Sequence, residues 1–119
     1  MTIQGLINKV QEEKPNTFQN TKLIEYINEI ESDVADQLDI ESPVYTTSDL
    51  SEELLVGSPY DRLYVSYLKA MIDYANEEYA SYQLNQQQHV QDFTDFINWV
   101  VRENLVIERT VPSRFVNIF

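Results

Sequence analysis

The sequence predicts an all-α protein, a small bundle of about four helices with a long central helical hairpin and an extended, strand-like C-terminal tail. Apolar residues recur at steps of three and four along most of the chain. Only two glycines and four prolines occur in 119 residues, too few for the tight turns of an all-β fold. Apolar residues make up 43% of the chain, which is enough for one modest core and excludes a disordered polar tail.

The first predicted helix lies at the N-terminus. It carries four apolar residues at helical spacing: Ile3, Leu6, Ile7 and Val10. Thr2 is suited to cap its start, because a threonine hydroxyl can accept a hydrogen bond from a free backbone N–H group of the first turn. We expect the helix to end by Lys14, because Pro15 disfavours a helical conformation at the residue before it.

The second predicted helix begins at Asn20 or Thr21. Its apolar stripe consists of Leu23, Ile27, Ile30, Val34 and Leu38. Six acidic residues are assigned to the opposite faces: Glu25, Glu29, Glu31, Asp33, Asp36 and Asp39. Two interpretations of these acids stay open, an ordinary solvated face and a functional electronegative surface.

Residues 41–58 are predicted to connect the second helix to the third. Residues 44–47 are β-branched or aromatic and favour a short extended piece. Residues 51–56 fit either one helical turn or a strand, and the sequence does not decide between them.

The third predicted helix has a clear start signal. Ser58 is suited to cap it, Pro59 to occupy its first position and Asp61 its third. The apolar residues that follow, between Leu63 and Tyr82, cover more than one stripe. We therefore expect this helix to pack on two sides.

The fourth predicted helix carries a wide apolar face: Val90, Phe93, Phe96, Ile97, Trp99, Val100 and Val101. One unbroken helix from residue 59 to residue 104 would span about 69 Å at 1.5 Å per residue. That length is too great for a compact domain of this size. A break or sharp kink is therefore predicted at residues 83–87, inside a polar, glutamine-rich join.

The end of the chain differs in character from the rest, which divides it into a helical domain (1–104) and a tail (105–119). Residues 106–111 are strand-like, and Pro112 interrupts them. Chain ends are usually polar and frayed, whereas this one is apolar. We therefore expect it to pack either against the body of the protein itself or against another chain.

The charge of the chain excludes several classes of partner. Twenty Asp and Glu residues against eight Lys and Arg residues give a net charge of −12. Such a chain repels nucleic acid and anionic lipid over most of its surface, so binding dominated by phosphate contacts is not expected. No apolar stretch approaches the roughly 18–20 residues of a membrane span, and no secretory signal is expected at the N-terminus.

No catalytic, cofactor or metal site is predicted. The chain has no cysteine, and its one histidine, His89, lies one helical turn from Asp92. One histidine and one aspartate are too few ligands for a metal, so we expect His89 on a polar helix surface. Carboxylates on exposed helix faces rarely have the separated pKa values that acid–base catalysis requires. Glycine-rich phosphate loops and nucleophile elbows are absent from the sequence.

Six tyrosines follow the connector: Tyr60, Tyr64, Tyr67, Tyr74, Tyr79 and Tyr82. No basic groove accompanies them, so they are expected in the core or at a protein interface. A short helix, an acidic helix and then residues 54–82, LLVGSPYDRLYVSYLKAMIDYANEEYASY, resemble the head–tail connector (adaptor, head-completion) family of tailed phages and prophages of Gram-positive bacteria. The resemblance covers most of residues 1–104, and its motif consists of packing residues.

The resemblance implies a non-enzymatic virion protein without a cofactor, made in the bacterial cytoplasm and located at the head–tail junction. It implies a homo-oligomeric ring, typically of twelve copies, beneath the portal, through which DNA passes without specific binding. Its partners would be the portal protein and neighbouring connector or tail proteins, with no membrane involved. The carboxylates assigned to the channel face are Glu25, Glu29, Asp33 and Asp36. The residues assigned to the subunit or portal interface are Tyr60, Tyr64, Tyr67, Arg109, Arg114, Phe115, Val116, Ile118 and Phe119.

The acidic composition also fits a second class of function, an inhibitor that mimics DNA. Such a protein would present carboxylates spaced like phosphates on a helix face and would compete with DNA for a target enzyme. A general protein-interaction module is the remaining alternative.

Overall fold

The computed structural model describes residues 1–107 of the chain. These residues form four helices: α1 (Ile3–Glu13), α2 (Asn20–Leu38), α3 (Arg62–Ala75) and α4 (Tyr79–Ile107). Within this part of the chain there is no strand, only an isolated β-bridge between Thr2 and Glu53. The all-α prediction is confirmed. No helix in residues 1–107 combines the length and the apolar character needed to cross a bilayer.

The first two helices form as predicted. The hydroxyl of Thr2 accepts a hydrogen bond of 3.0 Å from the backbone N–H of Gly5, which is the expected N-cap of α1. The helix ends at Glu13, immediately before Lys14 and Pro15. At the other end of α2, Asp39 adopts a left-handed conformation with a φ of 57°, which stops the helix.

Helix α3 lies at the centre of the bundle and packs against α1, α2 and α4. Leu63, Leu68 and Ile72 are completely buried on α3, and Phe96 is completely buried on α4. The prediction that this helix packs on more than one side is confirmed. Together α3 and α4 form the predicted helical hairpin, in which α4 measures about 43 Å at 1.5 Å per residue.

The connector between α2 and α3 runs beside the start of α1. The backbone N–H of Ile3 donates to the carbonyl of Glu52, and that of Leu54 donates to the carbonyl of Met1, both at 3.0 Å. Leu54 and Val56 are buried, so this connector contributes to the core. It forms neither the helical turn nor the regular strand that residues 51–56 fit equally well.

The start of α3 differs from the prediction. Residues 58–61 form a turn, in which the backbone N–H groups of Tyr60 and Asp61 both bond to the carbonyl of Gly57 at 3.1 Å. The helix begins only at Arg62, and no side-chain cap precedes it. The predicted cap at Ser58 is therefore wrong, because the serine and proline belong to the turn.

The break between α3 and α4 lies at residues 76–78, not at residues 83–87. Glu77 adopts a left-handed φ of 59°, and the N–H of Glu78 bonds back to the carbonyl of Asp73. Residues 83–87 continue α4 without interruption, because glutamine is a good helix former. The described part of α4 runs to Ile107, three residues beyond the predicted domain boundary, and the rest of the predicted tail, residues 108–119, lies outside the described residues.

Candidate functional site

The carboxylate of Glu31 is completely buried in the core. It accepts hydrogen bonds from the hydroxyls of Tyr45 at 2.7 Å and Tyr64 at 2.5 Å, and from the backbone N–H of Leu55 at 3.0 Å. The prediction that Glu31 lies on the acidic, solvated side of α2 is wrong. Through these hydrogen bonds, the carboxylate instead links the connector and α3 to α2.

Tyr64 belongs to the same buried cluster. Its side chain has no exposed surface, and its hydroxyl also accepts a hydrogen bond of 3.1 Å from the backbone N–H of Val56. Burial, and then the neighbouring Glu31 carboxylate, raise the pKa of Tyr64 and of Tyr45 well above the ordinary value of 10. A fully buried side chain cannot contact another subunit, so the assignment of Tyr64 to an interface is wrong.

Asp73 on α3 is a second fully buried carboxylate. It forms an ion pair with Lys14 and accepts hydrogen bonds from Ser81 at 2.7 Å and Asn85 at 2.6 Å. Burial acts to raise the pKa of Asp73, but the hydrogen bonds from Lys14, Ser81 and Asn85 outweigh it and hold the pKa below its usual value. The cluster joins the end of α1 to both helices of the hairpin.

His89 is buried between α3 and α4 rather than exposed on a helix surface as predicted. Its Nδ1 lies 3.0 Å from the backbone carbonyl of Leu63, which can only accept a hydrogen bond. Nδ1 therefore carries the proton in the neutral ring. Asp92, one turn further along, is also buried and accepts a hydrogen bond of 2.9 Å from Gln88. Residues 1–107 contain no cluster of three His, Asp or Glu side chains that could hold a metal ion.

Burial makes His89 a source of pH dependence in stability. Burial lowers the pKa of His89 below 6.5, while the hydrogen bond to the Leu63 carbonyl and the carboxylates of Asp92 and Asp33 only partly oppose the shift. As the pH falls below about 6.5, the unfolded chain takes up a proton that the folded protein resists, so stability is lost. We expect the melting temperature to fall more between pH 7.5 and pH 5.5 in the wild type than in His89→Gln, measured by circular dichroism. Equal falls in the two proteins would contradict this, because the carboxylates titrate in both and only the wild type has the buried imidazole.

The acidic face of α2, which consists of Glu25, Glu29, Asp33 and Asp36, is exposed to solvent. Spacings of three and four residues put these carboxylates on one side of the helix, with a rise of about 4.5–6 Å from one to the next. Glu25 pairs with Lys22 at 3.1 Å, and Glu29 accepts a hydrogen bond of 3.0 Å from the half-buried Tyr67. Asp33 and Asp36 form no ion pair with any described residue.

An apolar groove of about 340 Å³ lies between the end of α2, the connector and α4. Its main lining residues are Leu38, Leu55, Pro59, Tyr60, Phe96 and Trp99. The rings of Tyr60 and Trp99 are tilted by 30° with centroids 5.4 Å apart, and Arg102 donates a hydrogen bond of 3.3 Å to the Tyr60 hydroxyl. Of the three tyrosines predicted at an interface, Tyr60 lies at this groove, Tyr67 lies beside the acidic face and Tyr64 is internal.

A third surface is aromatic and lies at the turn of the hairpin. Tyr74 and Tyr79 are more than half exposed, and the ring of Tyr74 contacts those of Tyr79 and Tyr82. The other residues predicted at the interface lie outside the described part of the chain: Arg109, Arg114, Phe115, Val116, Ile118 and Phe119. The sequence predicts Trp99 only on the apolar face of a helix, and its place in the groove depends on the connector residues that form the opposite wall.

No family model matches the sequence, and neither a curated protein nor a solved structure matches it. A function for this chain therefore has to be argued from its surfaces. The buried carboxylates of Glu31 and Asp73 accept hydrogen bonds from donors of the chain itself. We therefore interpret both as structural groups that stabilise the fold. The groove, the acidic face of α2 and the aromatic surface at the hairpin turn face outward.

Proposed function

We propose that this chain is a structural connector subunit of a tailed phage, which assembles as a ring beneath the portal and surrounds the DNA channel between head and tail. The observation that carries the proposal is the separation of two exposed surfaces, the apolar groove and the acidic face of α2. One surface suits contact with another protein, and the other suits passage of DNA. The resemblance of residues 54–82 to connector proteins adds to this argument.

The apolar groove supplies the contact between subunits in this proposal. A ring closes through head-to-tail contacts, so one surface of each subunit must receive a different surface of the next. Trp99 and Tyr60 are large aromatic side chains in contact with each other, and these residue types dominate binding energy at protein interfaces. The predicted tail, residues 105–119, provides a second contact with the portal or with the adjacent subunit.

The acidic face of α2 lines the channel in this proposal. Carboxylates repel the phosphates of DNA, and residues without basic charge cannot form the counterion-releasing contacts that hold DNA in place. Packaged DNA then slides through the ring. The same repulsion explains why a protein that surrounds DNA carries a net charge of −12.

The groove variant Trp99→Ser tests the proposal. Its assembly on purified portal complex is measured by co-sedimentation against the wild type, after circular dichroism has shown that both are folded, because a subunit that binds its neighbours weakly adds few copies to the ring. Loss of an aromatic anchor at an interface costs about 2 kcal/mol or more, so we expect binding to weaken roughly 30-fold. Leu84→Ser is the matched control, because Leu84 is exposed on α4 outside the groove. A wild-type chain that never co-sediments with the portal would refute the proposal.

A DNA-mimicking inhibitor is the second candidate function, favoured by the regular rise of the carboxylates along the acidic face of α2. It requires competition with DNA for a target enzyme. The triple variant Glu29→Gln, Asp33→Asn and Asp36→Asn is expected to abolish inhibition by a DNA mimic. A protein that inhibits equally well after these three changes is not a mimic of this kind.

A further inference from the structure

The apolar groove stays open in the part of the chain that the structure describes. Leu38, Leu55, Tyr60 and Trp99 pack against the core on one side but remain partly exposed in the groove. Ile40, two residues beyond the end of α2, is 49% exposed. Contiguous apolar surface of this kind marks a site for another apolar segment. The proposed ring requires that this segment belong to the next copy.

The chain itself contains a segment of matching character. Four of the five residues at positions 115–119 are large and apolar, and this segment lies outside the described residues. It follows α4, the helix that supplies Phe96 and Trp99 to the groove. Every copy therefore carries one groove and one apolar segment. Two different surfaces on each copy are what a head-to-tail contact needs to close a ring.

The charges at the groove also suit this segment. Residues 108–119 contain two arginines and one glutamate, whereas the rest of the chain contains six basic and 19 acidic residues. Asp39 and Glu41 follow α2 where it ends at the groove wall, and both are exposed. Arg102 lies on the α4 side of the groove. Arg114, which directly precedes the apolar segment, is therefore attracted towards the α2 side.

The length of chain after α4 favours the groove of another copy over the groove of the same copy. Trp99 lies eight residues before Ile107, about 12 Å back along the helix. Residues 108–111 contain none of the usual turn residues, so the sequence predicts an extended piece as far as Pro112. Continued in the direction of α4, this piece adds about 17 Å, and the last seven residues then reach back only about 23 Å of the roughly 29 Å to Trp99.

We propose that residues 115–119 of one copy dock in the apolar groove of the next copy. Alternation along an extended segment puts Phe115 and Phe119 on one side, where they pack against Trp99 and Leu55 of the neighbour. This inference rests on the proposed connector function and names the segment that fills its subunit contact. The tail of one copy and the groove of the next become the two halves of one contact.

Cysteine cross-linking between two differently tagged copies tests the docking, because the chain has no cysteine of its own. One full-length copy carries Ser58→Cys and the other Asn117→Cys, and they are mixed under mild oxidation with and without the portal complex. Ser58 is exposed in the groove wall and Asn117 is the polar residue of the segment, so neither change removes an apolar contact.

We expect a disulfide between the two tagged copies in the assembled protein, because docking holds the two thiols at a high local concentration. The matched control replaces Ser58→Cys by Ser51→Cys, an exposed serine of the same connector that does not line the groove. The groove cysteine should react at least about tenfold faster than this control. Equal rates for the two cysteines would overturn the proposal.

A single chain that carries both Ser58→Cys and Asn117→Cys tests whether the segment covers its own groove instead. A disulfide within one chain, formed at a rate independent of dilution, would overturn the proposal. If the wild type co-sediments with the portal but the cross-link between copies is missing, only the docking inference fails. If copies cross-link but never co-sediment with the portal, the connector function fails and the docking stands.

Discussion

Glu31→Leu is expected to destabilise the protein by about 3–5 kcal/mol. The substitution leaves the hydroxyls of Tyr45 and Tyr64 and the backbone N–H of Leu55 without their acceptor. Each buried donor left unpaired costs about 1–3 kcal/mol, and small rearrangements recover part of the sum. Domains of this size are stable by only about 5–15 kcal/mol in total, so the urea midpoint should fall steeply.

The control for this prediction is Glu25→Leu on the same helix. Glu25 is exposed on the acidic face of α2, so its replacement should change the free energy of unfolding by no more than about 0.5 kcal/mol. Leucine fits a buried site better than glutamate on hydrophobicity alone. A Glu31→Leu variant as stable as Glu25→Leu would therefore mean that the hydrogen bonds to Glu31 contribute nothing to the fold.

Asp73→Ala should produce the second-largest loss, about 2–3 kcal/mol in urea unfolding at pH 7. It removes the acceptor of Lys14, Ser81 and Asn85 at the point where α1 meets the hairpin. The loss is expected to be smaller than for Glu31, because these donors are partly exposed and can bind water. Glu78→Ala is the matched control, since its carboxylate lies 3.4 Å from the same Lys14 but is half exposed, and it should cost no more than about 1 kcal/mol.

The effect of Asp73→Ala should depend on pH in a defined direction. The pKa of Asp73 is held below its usual value, so its contribution is present above about pH 4 and is lost as the pH falls through the lowered pKa. The hydrogen bond to Asp73 raises the pKa of Lys14, so the ion pair also weakens as the pH rises through that raised pKa. A difference between wild type and Asp73→Ala that is as large at pH 2 as at pH 7 would contradict this assignment.

The helices of this protein are predictable from the sequence, whereas its buried polar groups are largely not. The stripes of α1 and α2 follow from helical spacing because apolar side chains must face the core. The sequence pattern assigns Glu31 to the solvent with the other acids of α2, although it lies four residues after Ile27 and three before Val34. That spacing indicates that Glu31 lies on the buried side of α2. The sequence alone does not favour this placement, because charged residues are rarely buried without partners. The partners, Tyr45 and Tyr64, are distant in sequence.

The polar positions of α4 show the same limit. His89 and Asp92 are buried together with Phe96, whereas Val90, which was placed on the apolar face, is 55% exposed. Hydrophobicity favours burial of Val90 over burial of His89 and Asp92. The packing of α4 against α3 instead buries His89 and Asp92 and leaves Val90 exposed. The helix break was misplaced for a related reason. A polar run of glutamines suggested an interruption, but the turn formed at Glu77, where Asp73 and Lys14 hold the two helices to α1.

Electron microscopy of the full-length protein mixed with the portal complex of its phage tests the connector assignment most directly. We expect a closed ring of copies, coaxial with the portal, in which the carboxylates of Glu25, Glu29, Asp33 and Asp36 face the central channel and the groove beside Trp99 is covered by a neighbour. Single copies bound at the periphery, or a ring whose acidic helix faces outward with the groove left open, would contradict the assignment.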